Sequence, residues 1–447
     1  MSYDKARFWH PMLHPNEMQR REPIRIVRGD GCYVYDDKGH KLVDGVAGLW
    51  NVNVGHNRSE IKQAIMQQLD ELEYFQLFDG ISHPRAEELS AMIIDMLQPE
   101  DMARVAFSSG GSDAVETALK LARQYWRVKG QPDRNKFISL KQGYHGTHFG
   151  GASVNGNTVF RRNYEPLLPG CFHVETPWTY RNPFTEDPEA LAQICAQMLE
   201  REIQFQSPDT VAAFIAEPIQ GAGGVIVPPA SYWPLIREVC DKYGVLLIAD
   251  EIVTGFGRSG AMFGCRLWGV APDIMCLAKG ISSGYIPLGA TVVNQRVADA
   301  FAANADFGGA IMHGYTYSGH PVACAAAMAN LKIVQEENLP ANAAIQGEYL
   351  LSRLKPFADK YAAVGEVRGK GLMVALDLVV DKHSREPIDP TGGYANRVAQ
   401  IAREHGVLVR PVGTKIILSP PLVIQPSQLD MIVAALDAGF AGAGLAT

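Results

Sequence analysis

The chain has 447 residues, 47% of them apolar and 20% charged, so it is long enough for two or three domains and has the usage of a soluble globular protein. That balance excludes disordered, collagen-like and coiled-coil readings. The formal charge of −7 argues against a chain built to grip nucleic acid.

The seven cysteines form no C-x-x-C pair, which points to free thiols in a reducing compartment rather than a disulfide framework or zinc ribbon. There is no charged-then-apolar N-terminal segment, and no apolar run approaches the ~20 residues of a membrane span. A cytoplasmic protein is the expectation. Glycine is the outlier of the composition, with 43 residues against an average near 7%.

Residues 1–58 read as irregular, apart from an alternating stretch at Tyr33-Val34-Tyr35 that a turn from Asp36 to Gly39 closes into a hairpin. A helix is predicted from Ser59, where Ile61, Ile65, Leu69 and Leu72 repeat at helical spacing behind the serine as cap. Residues 103–320 alternate short apolar runs with helical segments. The runs are Arg104–Phe107, Lys136–Leu140, Val211–Ala216, Val245–Ala249 and Asp273–Ala278. This order predicts an α/β fold with a mostly parallel sheet covered on both faces, whose ligands bind beyond the C-terminal strand ends. Residues 326–447 carry helices near 341–356, 393–405 and 427–438, the last with a capping box from Ser427 to Asp430. The expected division is an N-terminal segment (1–58), a large domain (59–325) and a smaller α+β domain (326–447) that packs on the N-terminal segment.

Several strand ends carry chemistry. After Arg104–Phe107 comes Ser108-Ser109-Gly110-Gly111-Ser112-Asp113, opening a helix. Free backbone N–H groups, close approach at glycine and the Ser112 hydroxyl suit a phosphate, although taken alone this is an ordinary strand-to-helix turn. Strand 245–249 ends in Asp250-Glu251, two carboxylates that need buried partners, a cation among them, unless the strand end is hydrated. The next strand ends in Ala278-Lys279-Gly280, where the lysine is either a desolvated nucleophile or an exposed loop residue. Together, a phosphate cradle, a carboxylate and a lysine match the three handles of pyridoxal phosphate. Asp250 would hold the pyridine nitrogen protonated, Lys279 would take the aldehyde and later move protons, and Ile252 and Tyr144 would flank the ring.

The motifs that carry this chemistry resemble those of the class III, or ω-, aminotransferases of pyridoxal phosphate fold type I. They are D-E-I-V-T-G-F-G-R-S-G from Asp250, A-P-D-I from Ala271, L-A-K-G-I-S-S-G-Y-I-P-L-G-A from Leu277, G-L-W-N from Gly48, G-G-S-D-A-V-E-T-A from Gly110, G-Y-H-G from Gly143, A-E-P-I-Q-G from Ala216 and H-G-Y-T-Y-S-G-H-P from His313. The tail L-V-R-P-V-G-T-K-I-I-L-S-P-P-L from Leu408 is similar to that of the ω-amino acid:pyruvate subgroup. The resemblance spans nearly the whole chain and implies a large sheet domain with a smaller α+β domain. It implies Lys279 as the Schiff-base lysine, Asp250 at the pyridinium, and Gly111 with Ser112 at the phosphate. It also implies Thr316 completing that phosphate site from a partner subunit, and hence an obligate homodimer. Trp50 and Tyr144 would shape the substrate pocket, Phe78 would enter it from the other chain, and Arg410 would bind a substrate carboxylate.

Two departures bear on specificity. Members that use 2-oxoglutarate often carry Gln-Gly-Glu where this chain has Gln220-Gly221-Ala222, and keep an arginine where this chain has Ile416-Ile417-Leu418-Ser419. The expected reaction is therefore transfer from an ω-amino acid or primary amine to pyruvate. A 2-oxoglutarate-dependent enzyme, an aminomutase and a decarboxylase are the alternatives on the same scaffold.

Gly255-Phe256-Gly257-Arg258-Ser259-Gly260 also matches G-x-G-x-x-G, the nicotinamide dinucleotide fingerprint, but its first glycine lies well past the strand end and no helix opens there. The pairs His10 with His14 and His145 with His148 read as loop histidines rather than metal ligands, since Pro11 and Pro15 forbid a helix and no third ligand is evident. The segment near Asn16 is the remaining candidate to reach the pocket.

Overall fold

The computed structural model describes residues 7–17, 22–304 and 306–444. Its main sheet has seven strands in the order β4-β10-β9-β8-β7-β5-β6. These are β4 (Met102–Ser108), β5 (Lys136–Leu140), β6 (Cys171–Val174), β7 (Val211–Ala216), β8 (Leu246–Asp250), β9 (Ile274–Leu277) and β10 (Gly289–Asn294). The five strands from β9 to β6 are parallel, and β10 runs antiparallel between β4 and β9. Strands β6 and β10 lie outside the predicted runs. The connection from Ala278 to Leu288 carries only a short 3-10 turn, so β10 returns without the helical crossover that a parallel neighbour needs.

Alternation along β8 explains the double cover. Leu246 and Ile248 pack with the helix Gly111–Val128, whereas Leu247 packs with the helices Pro188–Phe205 and Tyr232–Tyr243. A third layer of contacts, from Met275, Leu277 and Val292, meets the helices Pro84–Met96 and Pro321–Glu336.

Two smaller sheets stand beside it. The N-terminal hairpin forms as expected from β2 (Tyr33–Asp36) and β3 (Lys41–Asp44), extended by β1 (Ile26–Asp30) and, in parallel with β3, by β14 (Val407–Leu408). The other sheet contains β11 (Val364–Lys370), β12 (Met373–Asp381), β16 (Lys415–Leu418) and β15 (Arg410–Val412), with β13 (Glu386–Pro387) against β12. Its core also takes in Cys32, Val43 and Val54, so the two ends of the chain share one apolar cluster.

Two helix starts differ from expectation. Helix Ser59–Glu71 is preceded by Arg58 with no side-chain cap, and Leu72 lies beyond its end. The last helix, Pro426–Gly442, begins at a proline whose missing N–H and fixed φ suit the first turn, so its capping box is Gln425 with Gln428, not Ser427 with Asp430.

Candidate active site

The C-terminal ends of β4, β5, β7, β8 and β9 open onto one cavity of about 460 Å³. Its wall includes Gly111, Ser112, Tyr144, Asp250, Ile252 and Lys279, and also Trp50, Ala222 and Arg410. Nine residues singled out in seven separate stretches of sequence thus meet at one place.

At the floor, β8 and β9 are parallel neighbours with Asp250 opposite Cys276, which sets Asp250 beside the turn that carries Lys279. Lys279 has a φ of +45°, a left-handed conformation that a side-chain-bearing residue holds only when its surroundings enforce it. Its amine has no hydrogen bond or ion pair among the described residues. Burial lowers its pKa, an effect that Asp250 and Glu217 oppose and Arg410 reinforces.

Asp250 is 3% exposed. Its Oδ2 is 2.7 Å from Nδ1 of the fully buried His145, and its Oδ1 accepts from the Ile252 N–H at 3.2 Å. A carboxylate can only accept, so the imidazole donates through Nδ1–H. Glu251 differs from expectation, because no cation among the described residues meets it. Thr254 Oγ1 and the N–H groups of Gly264 and Cys265 donate to it, and burial raises its pKa.

The helix Gly111–Val128 points its first turn at the cavity. A Cβ on Gly110 would meet nothing within 4 Å, so open space lies against that turn, whereas a Cβ on Gly111 would come within 2.8 Å of Ile252 Cδ1. Glycine at 111 is therefore what lets Ile252 close over the helix end. The Ser112 hydroxyl accepts from the Thr147 N–H at 3.1 Å.

Sequence reasoning missed two residues here. His145 does lie on a loop, as expected, but its ring is buried against Asp250. Glu217, at the end of β7, is 6% exposed, lines the cavity, and accepts from the Tyr144 N–H at 3.0 Å and the Gly221 N–H at 2.7 Å. Burial pushes its carboxyl up to about 7, with Asp250 adding to the rise and His145 and the two N–H groups opposing it. Glu217 lies inside the A-E-P-I-Q-G motif from Ala216, and its place at the end of a parallel strand is the signal that points to it.

The rim comes from distant segments. Trp50 is 5% exposed and Tyr144 stands edge-on to Phe160 with ring centroids 4.8 Å apart. Arg410, the one arginine of the wall, has no hydrogen bond or ion pair among the described residues. Burial lowers its pKa. From the N-terminal segment it is Met12 that lines the cavity, not Asn16. Phe78 and Thr316 are both exposed and do not line this cavity; the Thr316 carbonyl accepts from Tyr74 Oη at 2.7 Å, and Phe78 lies beside Gly314.

A desolvated, unpartnered lysine, a buried aspartate braced by histidine and an open helix N-terminus at parallel strand ends define a pyridoxal-phosphate-dependent enzyme. The sequence profile described as aminotransferase class-III matches residues 16–439. The chain is 43% identical over 428 residues to putrescine–pyruvate aminotransferase of Pseudomonas aeruginosa, covering 95% of this chain and 91% of the relative. It superposes with a TM-score of 0.97 on the PLP-bound amine transaminase of an uncultivated Pseudomonas species, at 59% identity with 98% and 99% of the two chains covered. An (S)-enantioselective ω-transaminase from Thermomicrobium roseum gives a TM-score of 0.94 at 41% identity, with 98% and 97% covered. This chain belongs to the class-III aminotransferase family and has its fold type I architecture.

The cofactor of such an enzyme is pyridoxal 5′-phosphate, and the residues present fit it. The free Lys279 amine suits its aldehyde, the acceptor at Asp250 its ring nitrogen, and the open space at Gly110 with the first helical N–H groups its phosphate.

Proposed function

We propose that this aminotransferase moves the amino group of an ω-amino acid or other primary amine to pyruvate, giving alanine. The observation that carries the reading is the rim: among the described residues Arg410 is the one guanidinium in the cavity wall and has no hydrogen bond or ion pair, and Ala222 stands where 2-oxoglutarate users often carry a glutamate. A single unpaired arginine suits one carboxylate at a time in a forked geometry. The names of the pyruvate-using relative from P. aeruginosa and of the amine transaminase support the same acceptor and donor class.

Pyridoxal phosphate, when bound, supplies an electron sink for the carbon that bears the transferred nitrogen. In this reading Asp250, oriented by His145, would keep the pyridine nitrogen protonated, and Ile252 and Tyr144 would flank the ring. Gly111 and Ser112 would hold the phosphate, a site that Thr316 of the partner subunit would complete. With the cofactor bound, Lys279 would take a proton from the carbon bearing the donor nitrogen and return it to the carbon on the far side of that nitrogen; burial lowers its pKa, which favours the neutral amine that this base role needs. Trp50 and Tyr144, with Phe78 from the partner, bound an apolar slot, and Ala222 leaves it room.

The exposure of Phe78 and Thr316 on one surface supports the homodimer. We divide the chain into an N-terminal segment (1–58), a cofactor domain (59–325) and a small domain (326–447). Seven free cysteines, and no described helix long and apolar enough to cross a membrane, support a cytoplasmic location.

Steady-state assays of pyruvate and 2-oxoglutarate with one amine donor test the acceptor. The expected result is a kcat/KM at least about tenfold higher for pyruvate, a difference of ~1.4 kcal/mol in transition-state binding. A preference for 2-oxoglutarate overturns the reading.

A further inference from the structure

The segment between β3 and Trp50 is the most contorted stretch of the cavity rim. Ala47, Gly48 and Trp50 all have positive φ values, +45°, +63° and +65°, and two of the three carry side chains. Left-handed backbone at such residues persists only where the surroundings over-determine it.

The surroundings here converge on Asp44, the last residue of β3, which is 2% exposed. Its Oδ1 accepts from the Val46 N–H at 3.1 Å, and its Oδ2 accepts from the Gly48 N–H at 2.8 Å and from Nε2 of His56 at 2.8 Å. The same turn is stitched to the C-terminal part of the chain. Asp44 pairs with Leu408, the Gly45 N–H donates to the Leu408 carbonyl at 2.9 Å, and the Ser419 N–H donates to the Gly45 carbonyl at 2.8 Å. The Ser419 hydroxyl donates to the Val46 carbonyl at 3.1 Å. Leu408 precedes Arg410 by two positions, and Ser419 follows β16, whose Ile417 is the register partner of Arg410. A Cβ on Gly45 would lie 2.4 Å from the Leu408 carbonyl oxygen, so the two backbones touch.

We propose that Asp44 is a positioning residue for substrate, holding Trp50 and Arg410 in a fixed relation across the cavity by clamping the 46–50 turn where the two ends of the chain meet. It touches neither substrate nor cofactor. Its effect runs through the two side chains that bound the donor, so the inference rests on their assignment to substrate.

The test compares wild type, Asp44→Asn, Trp50→Ala and Arg410→Ala as cofactor-loaded enzymes, with pyruvate as acceptor and a short alkyl amine or an ω-amino acid as donor. Asparagine keeps the shape of Asp44 but sets an N–H₂ group against one of the converging donors. The expected result for Asp44→Asn is a KM for the ω-amino acid raised about tenfold or more, because the turn that sets Trp50 opposite Arg410 loses one of its anchors. The kcat with the short amine stays within about twofold and the visible absorption of the bound cofactor is unchanged, since the floor of the site is untouched. A merely structural role lowers the melting temperature without splitting KM from kcat, and that outcome overturns the proposal. So does an unchanged KM in the folded variant. Should Asp44→Asn fail to fold, His56→Leu removes one of the three donors and is expected to raise the same KM to a lesser degree. His56→Gln, whose amide can still donate to Asp44, is expected to restore it. An unchanged KM in His56→Leu overturns the proposal. If Arg410→Ala leaves the ω-amino acid KM unchanged, the carboxylate reading itself fails; if it raises the KM and Asp44→Asn does not, only the role of Asp44 fails.

Discussion

The floor and the rim of this cavity are built differently. The floor is carried by neighbouring parallel strands, with Asp250 ending β8 and Lys279 in the turn after β9, so short chain segments and one register fix its geometry. The rim is assembled from residues far apart in sequence, Trp50, Tyr144, Ala222 and Arg410, carried by loops, a kinked single helical turn and a short edge strand. Rigid sheet ends hold the groups that move protons, and loops from both ends of the chain choose what is admitted. The difference predicts that floor substitutions remove turnover with every donor, whereas rim substitutions redistribute it among donors.

The largest expected effect is at the floor. Lys279→Ala is expected to lower transamination by about 10⁴-fold or more, with pyruvate and with every amine alike, because it removes the amine that serves both as the cofactor's anchor and as the general base. Single-turnover absorbance measurements check this; a loss confined to one donor class breaks the distinction between floor and rim.

His145→Leu is expected to cost about 10- to 100-fold in the single-turnover rate, again independent of donor. It removes the hydrogen bond at 2.7 Å that orients the buried Asp250 carboxylate. A donor-dependent loss would place His145 with the rim.

A smaller effect belongs to Glu217, which sits between the two regions. Its carboxyl is raised from 4.5 to about 7 in the folded chain, so its proton is held more tightly when folded. That contribution is fully present below the unfolded value and is lost as pH rises through about 7. Relative to Glu217→Gln, the cofactor-free wild type is expected to lose at most about 3 kcal/mol between pH 4.5 and 7, measured by denaturant unfolding across that range. A difference that is flat in pH contradicts the raised value.

The same contrast explains what the sequence makes legible. Runs such as Val211–Ala216 coincide with β7 because a strand buried on both faces is apolar throughout, and the punctuation after it announces the strand end. Asp250 and Lys279 were readable for that reason. Strand β10 was not, since its antiparallel return depends on the length of a connection rather than on its own pattern. His145 escaped because a buried loop histidine and an exposed one look alike until the partner carboxylate is placed. The clamp at Asp44 is invisible in sequence, since Leu408 and Ser419 reach it only through the tertiary fold. The glycine surplus reads differently as well. Glycine at 45 and 111 is required by contacts of 2.4 and 2.8 Å that a Cβ would make, so part of the excess is close approach rather than flexibility.

Arg410→Ala offers the most direct test, through donor half-reactions followed by single-turnover absorbance with an ω-amino acid and with a simple alkyl amine. A loss of about tenfold or more is expected with the ω-amino acid, the worth of a forked charge-assisted contact, and little change with the simple amine. Equal loss with both donors would contradict it, because the rim would then be acting on the chemistry and not on the choice of substrate.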